Sequence, residues 1–225
     1  VSVHSNAIYK GKKIELSLMT DITGSMEDVR NGAPKINGLK LAATDLLNII
    51  LPDNAPEESA RVALIPFANY VNAGTFAADV TGLNPTKVES GDTKHLISCV
   101  TERTGPDAYT DAAPGPSSYV GSVGQGGSGN NYSADGACNR TASGDPMPEI
   151  VPLTDNKATL LSKVDSFTPA GRTAGHLGTA WAWYTLAPSW NSIWGLSKPP
   201  AAYNDEKVIK AAVLMTDGFY NTQYT

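Results

Sequence analysis

Cysteine is scarce in this chain, with only Cys99 and Cys138 among 225 residues. Neither belongs to a Cys-x-x-Cys pair, and two thiols fall short of the four clustered ligands of a structural zinc site. Two readings of the pair stay open. They are reduced thiols of a cytosolic protein, or they close one disulfide around a polar loop in an oxidising compartment. The second is the better expectation. Long apolar runs are missing as well, since none approaches the roughly 18 residues that a membrane-spanning helix needs. Positive charge is thin: 17 Lys and Arg stand against 22 Asp and Glu, the net charge is −5, and no basic cluster is present. That balance argues against a nucleic-acid surface. The first residues, Val1-Ser2-Val3-His4, contain neither an initiator methionine nor a signal peptide. The chain is therefore expected to be a processed or excised piece of a longer protein.

What is present suffices for a folded domain. Hydrophobic residues make up 41% of the chain, enough for a packed core and an argument against global disorder. The length suits one large domain, or one domain with a sizeable insertion. Near the start, the apolar run Ile14-Glu15-Leu16-Ser17-Leu18-Met19-Thr20 stops abruptly at Asp21-Ile22-Thr23-Gly24-Ser25-Met26. Such a run reads as a buried strand whose C-terminal end opens into a loop of oxygen ligands, where open α/β sheets place their ligands. One carboxylate, Asp21, and two neutral hydroxyls, Thr23 and Ser25, suit a hard divalent cation that keeps some of its waters, as Mg²⁺ does.

Further along, Pro34 suits the first turn of a helix. Ile36, Leu39, Ala43, Leu46 or Leu47, and Ile50 recur at helical spacing up to Pro52. Arg61 to Phe67 is a second apolar strand, which completes a βαβ unit with an expected right-handed crossover. From about residue 84 to 151 Gly, Ser, Pro, Asp and Thr dominate and periodicity disappears, so this stretch reads as a long insertion. Within it, Gly124-Gln125-Gly126-Gly127-Ser128-Gly129 matches a dinucleotide-binding pattern in letters only, because no strand feeds it and no helix follows. Asn131-Tyr132-Ser133 and Asn139-Arg140-Thr141 are sequons by pattern alone. Thr154-Asp155 reads as a helix cap before Leu160, Leu161, Val164 and Phe167. A helix from about Ala174 to Leu186 and a last apolar strand, Val208 to Thr216, complete the pattern.

The motif Asp21-x-Thr23-x-Ser25 resembles the metal-ion-dependent adhesion site of von Willebrand factor A domains, with Thr23 in place of the first serine. The resemblance implies two more ligands, and the order of the chain offers both. Gly171-Arg172-Thr173-Ala174-Gly175-His176 supplies Thr173, and Val213-Leu214-Met215-Thr216-Asp217-Gly218 supplies Asp217. More narrowly, the stretch Thr173 to Pro188 with Trp190 and Trp194 resembles the TadG-like proteins of bacterial Tad (Flp) pilus assembly. So do Asp21 to Met26, Cys99-Val100, and Leu214 to Gly218 with Tyr220-Asn221-Thr222. The resemblance implies a doubly wound, mostly parallel α/β sheet (von Willebrand A or Rossmann-like) spanning residues 1–225, with a disulfide-clamped insertion. It also implies a cofactor, Mg²⁺ or else Mn²⁺ or Ca²⁺, and a protein partner that offers a carboxylate to the metal, such as a pilus or pseudopilin component. Export to the periplasm or cell surface follows, with a membrane anchor outside this segment. A von Willebrand A domain continues past the Asp217 strand, so the C-terminal part of the fold is expected to be missing. That strand is expected to lie centrally in the sheet, with a neighbour needed at its far edge.

The rival function is an Mg²⁺-dependent hydrolase or phosphotransferase, since Asp-x-Thr-Gly at a strand end superficially matches phosphatase nucleophile motifs. Those motifs place a second aspartate two residues on for acid/base work, and Thr23 stands there instead. No Ser-His-Asp order, Walker lysine or two-metal carboxylate cluster accompanies it. The expectation is a binding module and not an enzyme. His176 is expected to pack or cap, and Trp181, Tyr184, Trp190 and Trp194 to cover the sheet and not to form a sugar-stacking face.

Overall fold

A computed structural model describes residues 11–83, 98–122 and 147–222 of the chain. Strand β1, Lys13–Asp21, is buried from Glu15 to its end, as befits a strand with neighbours on both edges and helices on both faces. A short 3₁₀ turn, Gly24–Glu27, leads to a two-stranded ribbon, β2 (Val29–Arg30) and β3 (Ala33–Pro34). Asn31 and Gly32 join them, both at positive φ (53° and 83°). Two such residues make the tight turn whose twist suits a hairpin, and Asn-Gly is its favoured sequence. Pro34 stands just before helix α1, Lys35–Ile50, one position outside the first turn where it was expected. Ile36, Leu39, Ala43 and Leu47 form its buried stripe, in the expected helical register.

Strand β4, Ala60–Phe67, follows, then the two-residue β5 (Val71–Asn72) and the one-turn α2 (Ala77–Thr81). The stretch read as an irregular insertion contains two strands among its described residues, β6 (Cys99–Arg103) and β7 (Val120–Ser122). They extend the sheet, β6 antiparallel to β5 and β7 antiparallel to β6. Their shortness, and the polar loops around them, hid the alternation that marks a strand. The glycine-rich pattern at 124–129 and both sequons lie outside the described residues. Strand β8 (Val151–Thr154) precedes α3 (Lys157–Asp165). The cap of α3 is Asn156, whose side chain accepts from Thr159 N at 3.1 Å. Thr154 instead ends β8 and accepts from Asn156 N at 3.1 Å. Helices α4 (Gly175–Leu186) and α5 (Asn191–Trp194) and strand β9 (Val208–Met215) complete the described chain.

The fold is α/β. Its sheet runs β7-β6-β5-β4-β1-β9, with β8 also paired to β4. The three long strands are parallel: β1 pairs β4 from Ile14↔Ala60 to Asp21↔Phe67, and β9 from Lys13↔Val208 to Thr20↔Met215. The flanking short strands are antiparallel. Side chains of β1 and β4 alternate between two cores. Leu16, Leu18, Val62 and Leu64 meet α1 and α3 on one face. Met19, Ile65 and Phe67 meet Trp181, Ala182 and Trp190 on the other. Helices thus cover both faces, as a doubly wound sheet requires. The four aromatic residues pack inward as expected, with Tyr184 stacked on Trp190 at 4.1 Å between ring centroids.

The far edge of the Asp217 strand, where a neighbour was expected to be needed, is open among the described residues. Among the described residues β9 pairs only with β1 and forms the sheet's edge, with Ile209 and Leu214 each about half exposed. The centre belongs to β1, the strand flanked by both other parallel strands. Cys99 is fully buried at the start of β6 and is not a free thiol. Its expected partner, Cys138, lies outside the described residues.

Candidate metal centre

Parallel strands present their C-terminal ends together, and β1 and β9 bring Asp21 and Asp217 to one end of the sheet. Asp21 closes β1 and is fully buried. Its Oδ1 accepts from Thr23 N at 3.0 Å and from Thr23 Oγ1 at 2.7 Å. Its Oδ2 accepts from Thr216 Oγ1 at 2.8 Å. Ser25 Oγ donates to Asp217 Oδ1 at 3.0 Å. The two hydroxyls, Thr23 Oγ1 and Ser25 Oγ, stand 3.1 Å apart.

Hydroxyl protons rotate to suit their partners, and Asp21, Thr23, Ser25 and Asp217 form one continuous hydrogen-bonded chain in which the two hydroxyls are bracketed by two carboxylates. This converging pair is the chemically distinctive feature of the site. Thr216 helps to hold it, and sequence reasoning missed that role even though Thr216 sits beside Asp217. The signal was a hydroxyl one residue before the aspartate, at the end of a strand register-paired with β1.

The Thr173 loop docks against the same turn. Ala170 N donates to Ile22 O at 3.0 Å, and Gly24 N donates to Gly171 O at 2.9 Å. Gly171 adopts φ of 82°, and a Cβ there would fall 2.2 Å from Asn69 Oδ1, so only glycine fits. Thr173 is buried, and its main chain is clasped by Asn221: Thr173 N donates to Asn221 Oδ1 at 2.9 Å, and Asn221 N donates to Thr173 O at 2.9 Å. Among the described residues the Thr173 side chain makes no hydrogen bond to the Asp21–Thr23–Ser25–Asp217 chain. The structure joins those four directly and sets Thr173 in the adjoining loop. His176 turns elsewhere, with Nε2 2.5 Å from Glu102 Oε1.

A residue that sequence reasoning passed over completes the electrostatics. Lys35 Nζ lies 2.6 Å from Asp217 Oδ2 and 3.0 Å from Asp28 Oδ2. Burial pushes the Asp217 carboxyl up, but hydrogen bonds from Lys35 and Ser25 outweigh it and hold the group below the usual carboxylate range. Lys35 is raised in turn, first by Asp217 and then by Asp28. Among the described residues no three His, Cys, Asp or Glu side chains group as a metal site. The donors at this centre are two carboxylates and neutral hydroxyls.

No family model matches the chain. No curated protein matches it either. Among solved structures, it is similar to the vWF domain of the type V pili tip protein Mfa5 from Porphyromonas gingivalis, at 13% identity and a TM-score of 0.45. That match covers 95% of this chain and 40% of the other.

Proposed function

We propose that the chain is a metal-ion-dependent protein-binding domain of the von Willebrand factor A type. In this reading Mg²⁺, or Mn²⁺ or Ca²⁺ in its place, sits at Asp21, Thr23, Ser25, Thr173 and Asp217. The two hydroxyls of Thr23 and Ser25, bracketed by the Asp21 and Asp217 carboxylates at the end of β1, carry the proposal. Adjacent ligands of an octahedral Mg²⁺ with bonds of 2.0–2.1 Å stand about 3 Å apart. The Thr23–Ser25 and Ser25–Asp217 separations, 3.1 and 3.0 Å, match that edge. An all-oxygen donor set suits Mg²⁺, Ca²⁺ or Mn²⁺ over softer metals. The residues fit the ion.

Each side chain then has a defined task. Thr216 fixes one oxygen of Asp21, and Asp21 aims the Thr23 hydroxyl. Asp217 aims Ser25 in the same way. The bound cation supplies Lewis acidity toward a carboxylate oxygen. In this reading the neutral hydroxyls of Thr23 and Ser25 bind directly while Asp21 and Asp217 hold the ion through water, so the cation would stay electrophilic toward an acidic side chain of a partner. The motif resemblance extends the proposal to assembly of a Tad-type pilus or related appendage, with pilus or pseudopilin components as partners. The setting is the periplasm or cell surface, held by an anchor in a separate segment. A Cys99–Cys138 disulfide belongs to the same proposal.

An array of acidic and matched neutral (Asn/Gln) peptides tests the binding mode. Retention of the acidic members in Mg²⁺, lost in chelator, is the expected result. Equal retention with and without Mg²⁺ contradicts it.

A further inference from the structure

Lys35, with its partner Asp28, is a feature of this centre that the metal-binding reading does not use. It opens α1, directly after the Asn31-Gly32 hairpin, and the ribbon fixes where its side chain starts. Lys35 N donates to Asp28 O at 3.0 Å, while Nζ joins the Asp28 and Asp217 carboxylates at 3.0 and 2.6 Å. Its side chain is only 19% exposed, and that of Asp217 16%. The ammonium thus takes one oxygen of Asp217 while Ser25 takes the other.

We infer that the Lys35 ammonium is a tethered cation that competes with the divalent ion for Asp217 and so sets the affinity of the metal centre. The inference rests on the metal-binding reading above. Its physical basis is charge. Asp21, Asp28 and Asp217 carry three negative charges, and Lys35 cancels one. A dication that draws on Asp217 must either detach the ammonium or sit beside it, and both weaken binding. The loaded site in turn releases or reorients Lys35 at the rim where a partner's carboxylate arrives, so metal loading also changes the cationic surface presented to the partner.

The test is calorimetric titration of Mg²⁺ into the wild type, Lys35→Gln, Lys35→Arg and Asp21→Ala, with thermal melts of each with and without Mg²⁺. Lys35→Gln should bind Mg²⁺ about five- to tenfold more tightly, and Lys35→Arg should stay near the wild type. Without metal Lys35→Gln should melt lower than the wild type, and Mg²⁺ should raise its melting temperature by more. A lysine that only supports the fold would lower both melts equally and leave the Mg²⁺ affinity unchanged; that result overturns the inference. If the wild type binds and Asp21→Ala does not, while Lys35→Gln equals the wild type, the metal reading stands and this inference falls. If the wild type binds no divalent ion, both fall.

Discussion

Glu15→Gln tests how the edge strand that carries Asp217 is held. Glu15 is buried at 4% exposure and stands directly across from Arg61 on β4 and Lys210 on β9. Its carboxylate accepts from Arg61 Nη2 and Lys210 Nζ, and from Ala201 N at 3.0 and 3.1 Å. One carboxylate thus ties three parallel strands at the end of the sheet away from the metal centre. Removing one partner of a buried ion pair costs about 3–5 kcal/mol. Here both cations keep other acceptors: Lys210 donates to Leu186 O at 2.8 Å, and Arg61 to Pro199 O at 2.9 Å. The neutral amide should therefore cost less, about 2–3 kcal/mol, since the cations are not left unpaired. For a domain of this size that is a fall in melting temperature of about 4–12 °C.

The pH dependence separates this mechanism from a packing defect. Burial pushes the Glu15 carboxyl up, but hydrogen bonds from Lys210, the Ala201 amide and Arg61 outweigh it and hold it below its ordinary value of 4.5. A carboxyl depressed in the folded state contributes its full stability above the unfolded value. That contribution is lost as pH falls through the folded value. Urea unfolding of wild type and Glu15→Gln should thus differ fully at pH 7 and progressively less below about pH 4.5. A difference that stays constant down to pH 3, or one under about 0.5 kcal/mol at pH 7, would refute the triad's role. Mg²⁺ affinity should be the same in both proteins at pH 7.

Gly178→Ala should destabilise by about 1–3 kcal/mol by overpacking, because its Cβ would fall 2.7 Å from Phe67 and 2.8 Å from Met19 Sδ in the core; a urea midpoint equal to the wild type's would show that α4 is free to shift. Asn221→Ala removes one hydrogen bond that clasps the Thr173 loop, worth about 1 kcal/mol, and should weaken Mg²⁺ binding about fivefold by calorimetry; unchanged affinity would remove Thr173 from the ligand set. Thiol titration of denatured, unreduced protein from its native compartment should find no free thiol, and two would dismiss the Cys99–Cys138 bridge and weaken the case for export.

The parts of this fold legible in the sequence are those with long-range periodicity. β1, α1, β4, α4 and β9 each carry an apolar run or stripe long enough to define its type, and each was bounded to within a residue or two. Asp21, Thr23 and Ser25 were legible as oxygen donors at a strand end and Asp217 through the motif resemblance, and the fold brings the four to one end of the sheet. The short strands β5, β6 and β7 were not. Two to five residues show no period, and their stability comes from pairing in sequence outward from β4, β5 on β4, β6 on β5 and β7 on β6, which only the folded sheet supplies. Nor could spacing reveal Lys35, which lies 182 residues from Asp217. It reaches the centre because the Asn31-Gly32 hairpin turns the chain back, a local signal that was present and passed over. The position of β9 follows from pairing with β1, and nothing in its own residues distinguishes an edge strand from a central one.

The central claim is that the oxygens gathered by Asp21 bind a divalent cation. Calorimetric titration of Mg²⁺ and Mn²⁺ into the wild type and Asp21→Ala tests it, with circular dichroism to establish that both are folded and Asp21→Asn as the shape-conserving control. The account predicts saturable, one-site binding to the wild type and none to either variant while their spectra match. Binding of equal affinity to folded Asp21→Ala, or none to the wild type, would contradict it.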